Sequence, residues 1–249
     1  MKALAVIGYH HTGKTTLVTA LVKALTARGF SCATIKDIHS EAFRADTPGK
    51  NSALHIEAGA VSTFARGLHD TAMIFPKPLD LPEMLRLIEA DYLIIEGMKN
   101  AAVPKLVCAE SMSQLDELVD DTCIGISGLI AATAKSYKDL KVYCLQDDLD
   151  DLVNHVLAST FEILPMADPE CCCACGITCN QMAGEIVQGR KTRQDCTLDA
   201  DKKVILTANG KEIVIVPFVQ ELLRDVLQAL VKNLKGVDPS AEINLTLKP

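Results

Sequence analysis

The chain has 249 residues, enough for one large domain or two smaller ones, and a formal net charge of −7 at pH 7. That acidic balance argues against a general nucleic-acid or membrane-surface binder, which needs basic excess. Aromatics make up 4% and tryptophan is absent, so aliphatic side chains must carry the core; no apolar run reaches the roughly 18 residues of a membrane span. Met1-Lys2 leads directly into an apolar run that the fold needs as a strand, so no signal peptide and a cytoplasmic location are expected.

The first strand is expected at 3–7. It runs into Gly8-Tyr9-His10-His11-Thr12-Gly13-Lys14-Thr15, which spells G-x-x-x-x-G-K-T, and then into a helical stretch at 16–28. Strand, glycine loop and helix in that order are what a phosphate-binding loop needs. Its backbone N–H groups curl around the β-phosphate, and the helix N-terminus adds partial positive charge. The candidate nucleotide contacts are Gly8, His11, Thr12, Gly13, Lys14, Thr15 and Thr16. Lys14 would neutralise the β/γ-phosphates, and the Thr15 hydroxyl would hold Mg²⁺. The backbone does the binding there, so the side chains of His10 and His11 are expected only to line the entrance.

A second strand at 31–35 closes on Lys36-Asp37-Ile38-His39. Ligands gather at such strand ends, so Lys36 is a candidate phosphate contact and Asp37 a candidate for a metal-bound water. The polar stretch 37–51 has little periodicity and reads as a loop beside the site. A helix at 82–90 opens with the capping-box pair Asp80 and Glu83. The strand at 92–95 ends in Glu96-Gly97. Glu96 is the candidate second acid of the metal site, and with Lys14 it is a candidate catalytic residue. Gly97 would let the backbone pass close to the phosphates. Further strands are expected at 105–108, 123–127 and 141–145. The pattern is α/β, a P-loop NTPase with a mostly parallel sheet covered by helices. No Asn-Lys-x-Asp motif for reading guanine is present, so motifs alone leave the base open.

Several separate segments resemble one family: the loop 8–16, Thr34-Ile35-Lys36 with His39, and Asp46-Thr47-Pro48-Gly49-Lys50-Asn51-Ser52. Glu57-Ala58-Gly59-Ala60, Leu93-Ile94-Ile95-Glu96-Gly97-Met98-Lys99 and Val103-Pro104-Lys105 belong to the same pattern. Together, over roughly residues 1–160, they are similar to the molybdopterin-guanine dinucleotide biosynthesis protein B (MobB) family. The resemblance implies a GTP-binding protein with weak GTPase activity. It implies as partners the molybdopterin guanylyltransferase, which attaches GMP to molybdopterin, and other molybdenum cofactor maturation proteins. A homodimer is expected. Asn51 departs from the family, which shows Asp there; if that acid organises metal or water, hydrolysis is slower still.

Composition changes near 164–169, which divides the chain into a P-loop domain at 1–165 and a small Cys-rich α+β domain at 166–249. Of ten cysteines, Cys32, Cys108, Cys123 and Cys144 are scattered in apolar stretches and read as small hydrophobes. The other six fall within 26 residues: Cys171, Cys172, Cys173, Cys175, Cys179 and Cys196. Cys172, Cys175 and Cys179 around Gly176, with Cys196 returning after a helix at 182–188, form a candidate four-thiolate metal site. The spacing resembles a small iron–sulfur domain, which implies a [4Fe–4S] cluster with Zn²⁺ as the alternative. The gap from Cys175 to Cys179 is one residue short of that pattern, and Cys171 or Cys173 could substitute for Cys172. Strands at 203–207 and 212–216 flank Asn209-Gly210, a hairpin signal. Pro217 then opens a helix with Phe218, Leu222, Leu223, Val226, Leu227, Leu230 and Leu234 at helical spacing, ended by Gly236, and 243–247 could form a last strand.

The leading reading is a GTP-binding accessory protein of molybdenum cofactor maturation with an appended metal-binding domain. A nucleotide-dependent carrier or scaffold for a metallocluster is the runner-up. A small-molecule kinase ranks below both, because the chain lacks the Arg-rich lid common in kinases of this fold.

Overall fold

The computed structural model describes residues 1–166, 175–196, 204, 206–208, 211–213, 215, 217–232 and 234. The chain begins with β1 (Lys2–Gly8), α1 (Lys14–Ala27) and β2 (Cys32–Lys36), then α2 (Asn51–Glu57), the strands β3 (Thr63–Arg66) and β4 (Thr71–Ile74), and α3 (Leu81–Leu85). After these come β5 (Tyr92–Glu96), β6 (Lys105–Cys108), α4 (Met112–Leu118), β7 (Cys123–Ser127), β8 (Ser136–Tyr137), β9 (Leu140–Lys141) and α5 (Leu149–Ser159). Five strands form one parallel sheet in the order β2-β5-β1-β6-β7. The α/β fold expected from the alternating apolar runs is the one observed.

A parallel sheet is buried on both faces, because its crossovers lay helices on both. Side chains of β1 divide between the two faces with period two. Ala3, Ala5 and Ile7 join one core with α4, and Leu4 and Val6 join a second with Leu17, Val18, Leu21 and Leu25 of α1 and Leu152, Val153 and Val156 of α5.

Some boundaries differ from the sequence reading. The helix expected at 82–90 has its capping box, with Glu83 N–H bonded to Asp80 and Asp80 N–H bonded to Glu83, yet it ends at Leu85. The strand expected at 141–145 is reduced to one parallel bridge, Ile126 with Val142. Its ladder stops because Ser127 Oγ takes the Tyr143 carbonyl and the Asp148 carboxylate takes the Cys144 N–H. The elements α2, β3, β4, α4, β8 and α5 were not read from the sequence, although α5 carries a clear apolar stripe.

The C-terminal segment contains α6 (Cys179–Val187), whose capping box joins Thr178 and Gln181. It starts earlier than the expected 182–188. Arg190 pairs with Asp121 at 3.0 Å, Gln188 Nε2 donates to the Asp121 carbonyl at 3.0 Å, and Arg193 donates to the carbonyls of Glu162 and Ile163. The segment 175–196 is therefore docked against Asp121 and the stretch 162–163. β10 (Leu206–Ala208) and β11 (Lys211–Ile213) pair antiparallel as the hairpin signal requires, and α7 (Pro217–Val231) follows. Asn209, Gly210, Gly236 and the strand expected at 243–247 lie outside the described residues. Phe218, Leu222, Val226, Leu230 and Leu234 are exposed. Among the described residues no helix is long and apolar enough to cross a membrane.

Gly128, just past β7, has φ of +90°, and a Cβ there would stand 2.4 Å from the Thr12 carbonyl oxygen in the loop between β1 and α1. Gly128→Ala should therefore destabilise the chain by at least about 2 kcal/mol in urea unfolding, since it adds a backbone clash to left-handed strain. A cost below about 1 kcal/mol, the left-handed strain alone, would contradict this packing.

Lys105 is fully buried, with Nζ 3.2 Å from Asp120 Oδ2, while Asp120 is 49% exposed. Burial pushes the Asp120 carboxyl up, but hydrogen bonds from Thr122 and the charge of Lys105 outweigh it and hold the group below its ordinary 3.8. Asp120→Ala, which strands a buried ammonium, should cost more than Lys105→Met, which leaves an apolar side chain in its place. Because the folded value is depressed, the pair's contribution is present above about pH 4 and is lost as pH falls below it. Acid titrations of wild type and Asp120→Ala that run parallel through that window would refute the assignment.

Candidate functional site

At the carboxyl ends of β1, β2 and β5 lies a cavity of about 1150 Å³, lined by the loop after β1, by 36–40 and by 96–101. The loop enters α1 through Gly13, with φ of +98°, and among the described residues no side chain caps the start of the helix. The first N–H groups of α1 thus lack a side-chain acceptor, which suits an anion. Thr12 is buried and its hydroxyl donates to the Tyr9 carbonyl at 3.0 Å, bracing the loop from inside. The Lys14 ammonium folds back onto the same carbonyl. His10 and His11 stand exposed on the cavity wall, with His11 left-handed at φ 61°.

Strand register assembles the rest. Lys36 and Val6 each stand level with Glu96 across the β2–β5 and β1–β5 ladders. Glu96 is 9% exposed, and a nearly buried carboxylate needs partners. It has two: the Thr15 hydroxyl donates to Oε1 at 2.9 Å, and Lys36 Nζ lies 3.3 Å from the same oxygen. Thr15, Lys36 and Glu96, three residues singled out from separate stretches of sequence, converge here. Thr15 and Glu96 could hold a divalent cation between them, with Lys14 and Lys36 left to face phosphate.

Asp37 also lines the cavity, and its Oδ2 lies 2.9 Å from His39 Nε2. Its Cβ is 2.9 Å from where a Gly97 Cβ would sit, so Gly97, at φ +103°, is required by Asp37. The sequence reading had assigned that glycine to a close approach of the phosphates. Asn51 lies at the start of α2 and lines a separate cavity with Gly49, Ser52, His55 and Phe64.

Other wall residues went unread. The Tyr9 hydroxyl donates to Glu117 on α4, and Lys99 Nζ lies 4.7 Å over the Tyr9 ring. The hydrogen bond to Glu117 raises the Tyr9 pKa. Met98 and Met166, left-handed at φ 52° and 51°, line the cavity as well. Tyr9 and Lys99 stand in motifs already quoted, but nothing in the chain order announces that they meet.

The scattered cysteines behave as small hydrophobes. Burial pushes the thiols of Cys108 and Cys123 up to about 12, so they stay neutral. Cys175, Cys179 and Cys196 gather in one apolar cluster with Ala102, Leu164, Met182 and Ala183. Cys171, Cys172 and Cys173 lie outside the described residues. Among the described residues no three His, Cys, Asp or Glu side chains are arranged to hold a metal ion.

The profile of molybdopterin guanine dinucleotide synthesis protein B matches residues 3–130. A protein of Methanocaldococcus jannaschii named as a molybdopterin-guanine dinucleotide biosynthesis adapter is 28% identical, over 99% of this chain and 97% of its own. An adapter protein of Escherichia coli K12 with the same name is 33% identical over 42% of this chain and 63% of its own. The crystal structure of Bacillus subtilis MobB superposes with a TM-score of 0.54 at 25% identity, covering 64% of this chain and 97% of that one. The profile spans just over half of the chain, and the chain belongs to the molybdopterin guanine dinucleotide synthesis protein B (MobB) family.

Proposed function

We propose that this chain is a GTP-binding adapter protein of molybdopterin guanine dinucleotide biosynthesis that hydrolyses GTP slowly. The observation that carries the reading is Glu96, held between the Thr15 hydroxyl and Lys36 at the mouth of the phosphate loop. Gly8, His11, Thr12, Gly13 and Thr16 would offer the loop backbone to the phosphates, and Lys14 and Lys36 would supply positive charge. Thr15 and Glu96 would hold Mg²⁺, which supplies charge neutralisation at the β- and γ-phosphates. Catalysis of this kind is positioning and electrostatics, with Lys14 and Glu96 as its principal residues. Slow turnover suits an adapter whose nucleotide state changes its contacts. The partner it would serve is the molybdopterin guanylyltransferase, with the adapter acting as a homodimer in the cytoplasm.

Lys14→Ala should weaken GTP binding roughly 10- to 100-fold, the loss of a charge-assisted phosphate contact, while leaving the unfolding midpoint unchanged. Glu96→Gln should keep GTP binding without Mg²⁺ and lose the extra affinity that Mg²⁺ brings. Both are read by titration calorimetry with and without the cation. Unchanged GTP affinity in Lys14→Ala overturns the site, and tighter binding of ATP than GTP in the wild type overturns the base.

The proposal extends to a metal centre at 166–249, taken as a separate domain. Clustering of Cys175, Cys179 and Cys196 in one apolar group supports a thiolate site completed by Cys172, or by Cys171 or Cys173 in its place. The preferred occupant is [4Fe–4S], with Zn²⁺ second. Anaerobic protein should show absorbance at about 400 nm and stoichiometric iron, both lost in Cys196→Ser. Stoichiometric zinc without that absorbance replaces the cluster by zinc, and absence of both metals overturns the centre. A second reading, nucleotide-dependent transfer of the metal to an acceptor, is favoured by Met166, which lines the nucleotide cavity and also packs on the cysteine cluster.

A further inference from the structure

A second cavity, of about 650 Å³, opens off the phosphate loop on the other side of α1. It is lined by Thr15, Thr16, Thr19 and Lys23, and across from them by Leu149, the first residue of α5. It shares Thr15 and Thr16 with the cavity that holds Glu96. A nucleotide anchored by its phosphates at these threonines therefore has two ways to extend. One is toward Glu96 and Lys36, where the γ-phosphate and metal belong. The other is along the second cavity toward Leu149 at the start of α5.

The turn at that flank is firmly placed. Tyr143 N–H donates to the Ile126 carbonyl at 2.8 Å, which sets 142–143 beside β7, and the N–H groups of Asp147 and Asp148 both donate to the Cys144 carbonyl. Four carboxylates follow in quick succession, and three are engaged. Asp148 accepts from Cys144 N–H and pairs with Lys141, Asp150 pairs with Arg28, and Asp151 pairs with Lys141. Asp147 is exposed and makes no side-chain hydrogen bond or ion pair among the described residues. It stands two residues before Leu149, in the turn that leaves the parallel bridge of Val142 with Ile126, on the side where the strands of the sheet end and an open α/β sheet binds its ligands.

We propose that Asp147 reads the base of the bound nucleotide and selects guanine; this rests on the GTP reading above. The Watson–Crick edge of guanine presents two neighbouring donors, the ring N1–H and the exocyclic amine, and one carboxylate accepts both. Adenine presents an acceptor at N1, which a carboxylate repels. This supplies the discrimination that the missing Asn-Lys-x-Asp motif leaves unexplained, from a different turn of the sheet.

Asp147→Asn tests it, because an amide both accepts and donates. Xanthine keeps the N1–H but has a carbonyl where guanine has its amine, so the amide complements xanthine. Affinities for GTP, ATP, inosine triphosphate and xanthosine triphosphate are measured for wild type and variant. The wild type should prefer GTP over inosine triphosphate and ATP. The variant should lose at least about tenfold in GTP affinity and gain xanthosine triphosphate binding by a similar factor, a gain that no unfolded variant could show. A wild type that prefers GTP together with a variant that keeps that preference overturns the role of Asp147 and leaves the GTP reading standing. A wild type with no preference for GTP overturns both.

Discussion

β1 pairs on both edges, with β5 over Lys2–Val6 and with β6 over Ala5–Gly8, and every group at the nucleotide cavity depends on that central, parallel position. Parallel strands finish at the same end of a sheet, so the phosphate loop after β1 necessarily lies beside the ends of β5 and β6. Register then does the chemistry. With Lys36 and Val6 level with Glu96, the carboxylate reaches Thr15 on α1 and Lys36 on β2 together. A one-residue slip would turn Glu96 to the opposite face and into the apolar core. Continuous apolar runs on β1 and β5, buried on both faces, hold the register against that slip.

The same centrality explains why the loop can be tight. Its outer support is the backbone at Gly128, where Thr12 packs with no room for a side chain. The loop is thus clamped between its own helix and the end of β7. Preorganisation of this kind spares the binding of a triphosphate much of the cost of ordering the loop.

Legibility in the sequence followed the range of the interactions. Core strands and α1 were readable to within a residue or two, because burial on both faces writes itself as an unbroken apolar run. Lys36 and Glu96 stood out because each closes such a run, and Lys14 and Thr15 because of the G-x-x-x-x-G-K-T spacing after one. Among the missed elements, α4 and α5 do bury apolar side chains in the core, but the others make few core contacts. β3 and β4 place Phe64 and Met73 in solvent, and α2 buries no residue at all, so neither leaves a hydrophobic signature. The early stop of α3 was equally hidden, since its capping box marks a beginning and says nothing of an end. Tyr9 with Glu117, and Asp37 with Gly97, are contacts between distant segments that local pattern cannot encode.

The relation of the C-terminal segment to the nucleotide cavity follows from which of its contacts carry weight. Arg190 with Asp121 and Glu185 is a surface network, and such pairs contribute little net stability. The apolar cluster is different: Leu164, Met182, Ala183 and Cys196 are nearly or wholly buried together, so separating them would expose all four to water. Ala102 contributes to that cluster from the connection between β5 and β6, while Ala101 and Met98, immediately before it, line the nucleotide cavity. Met166 belongs to both walls. The cysteine-bearing segment is therefore held by Ala102 from that connection together with Phe161, Leu164 and Met166, which follow α5.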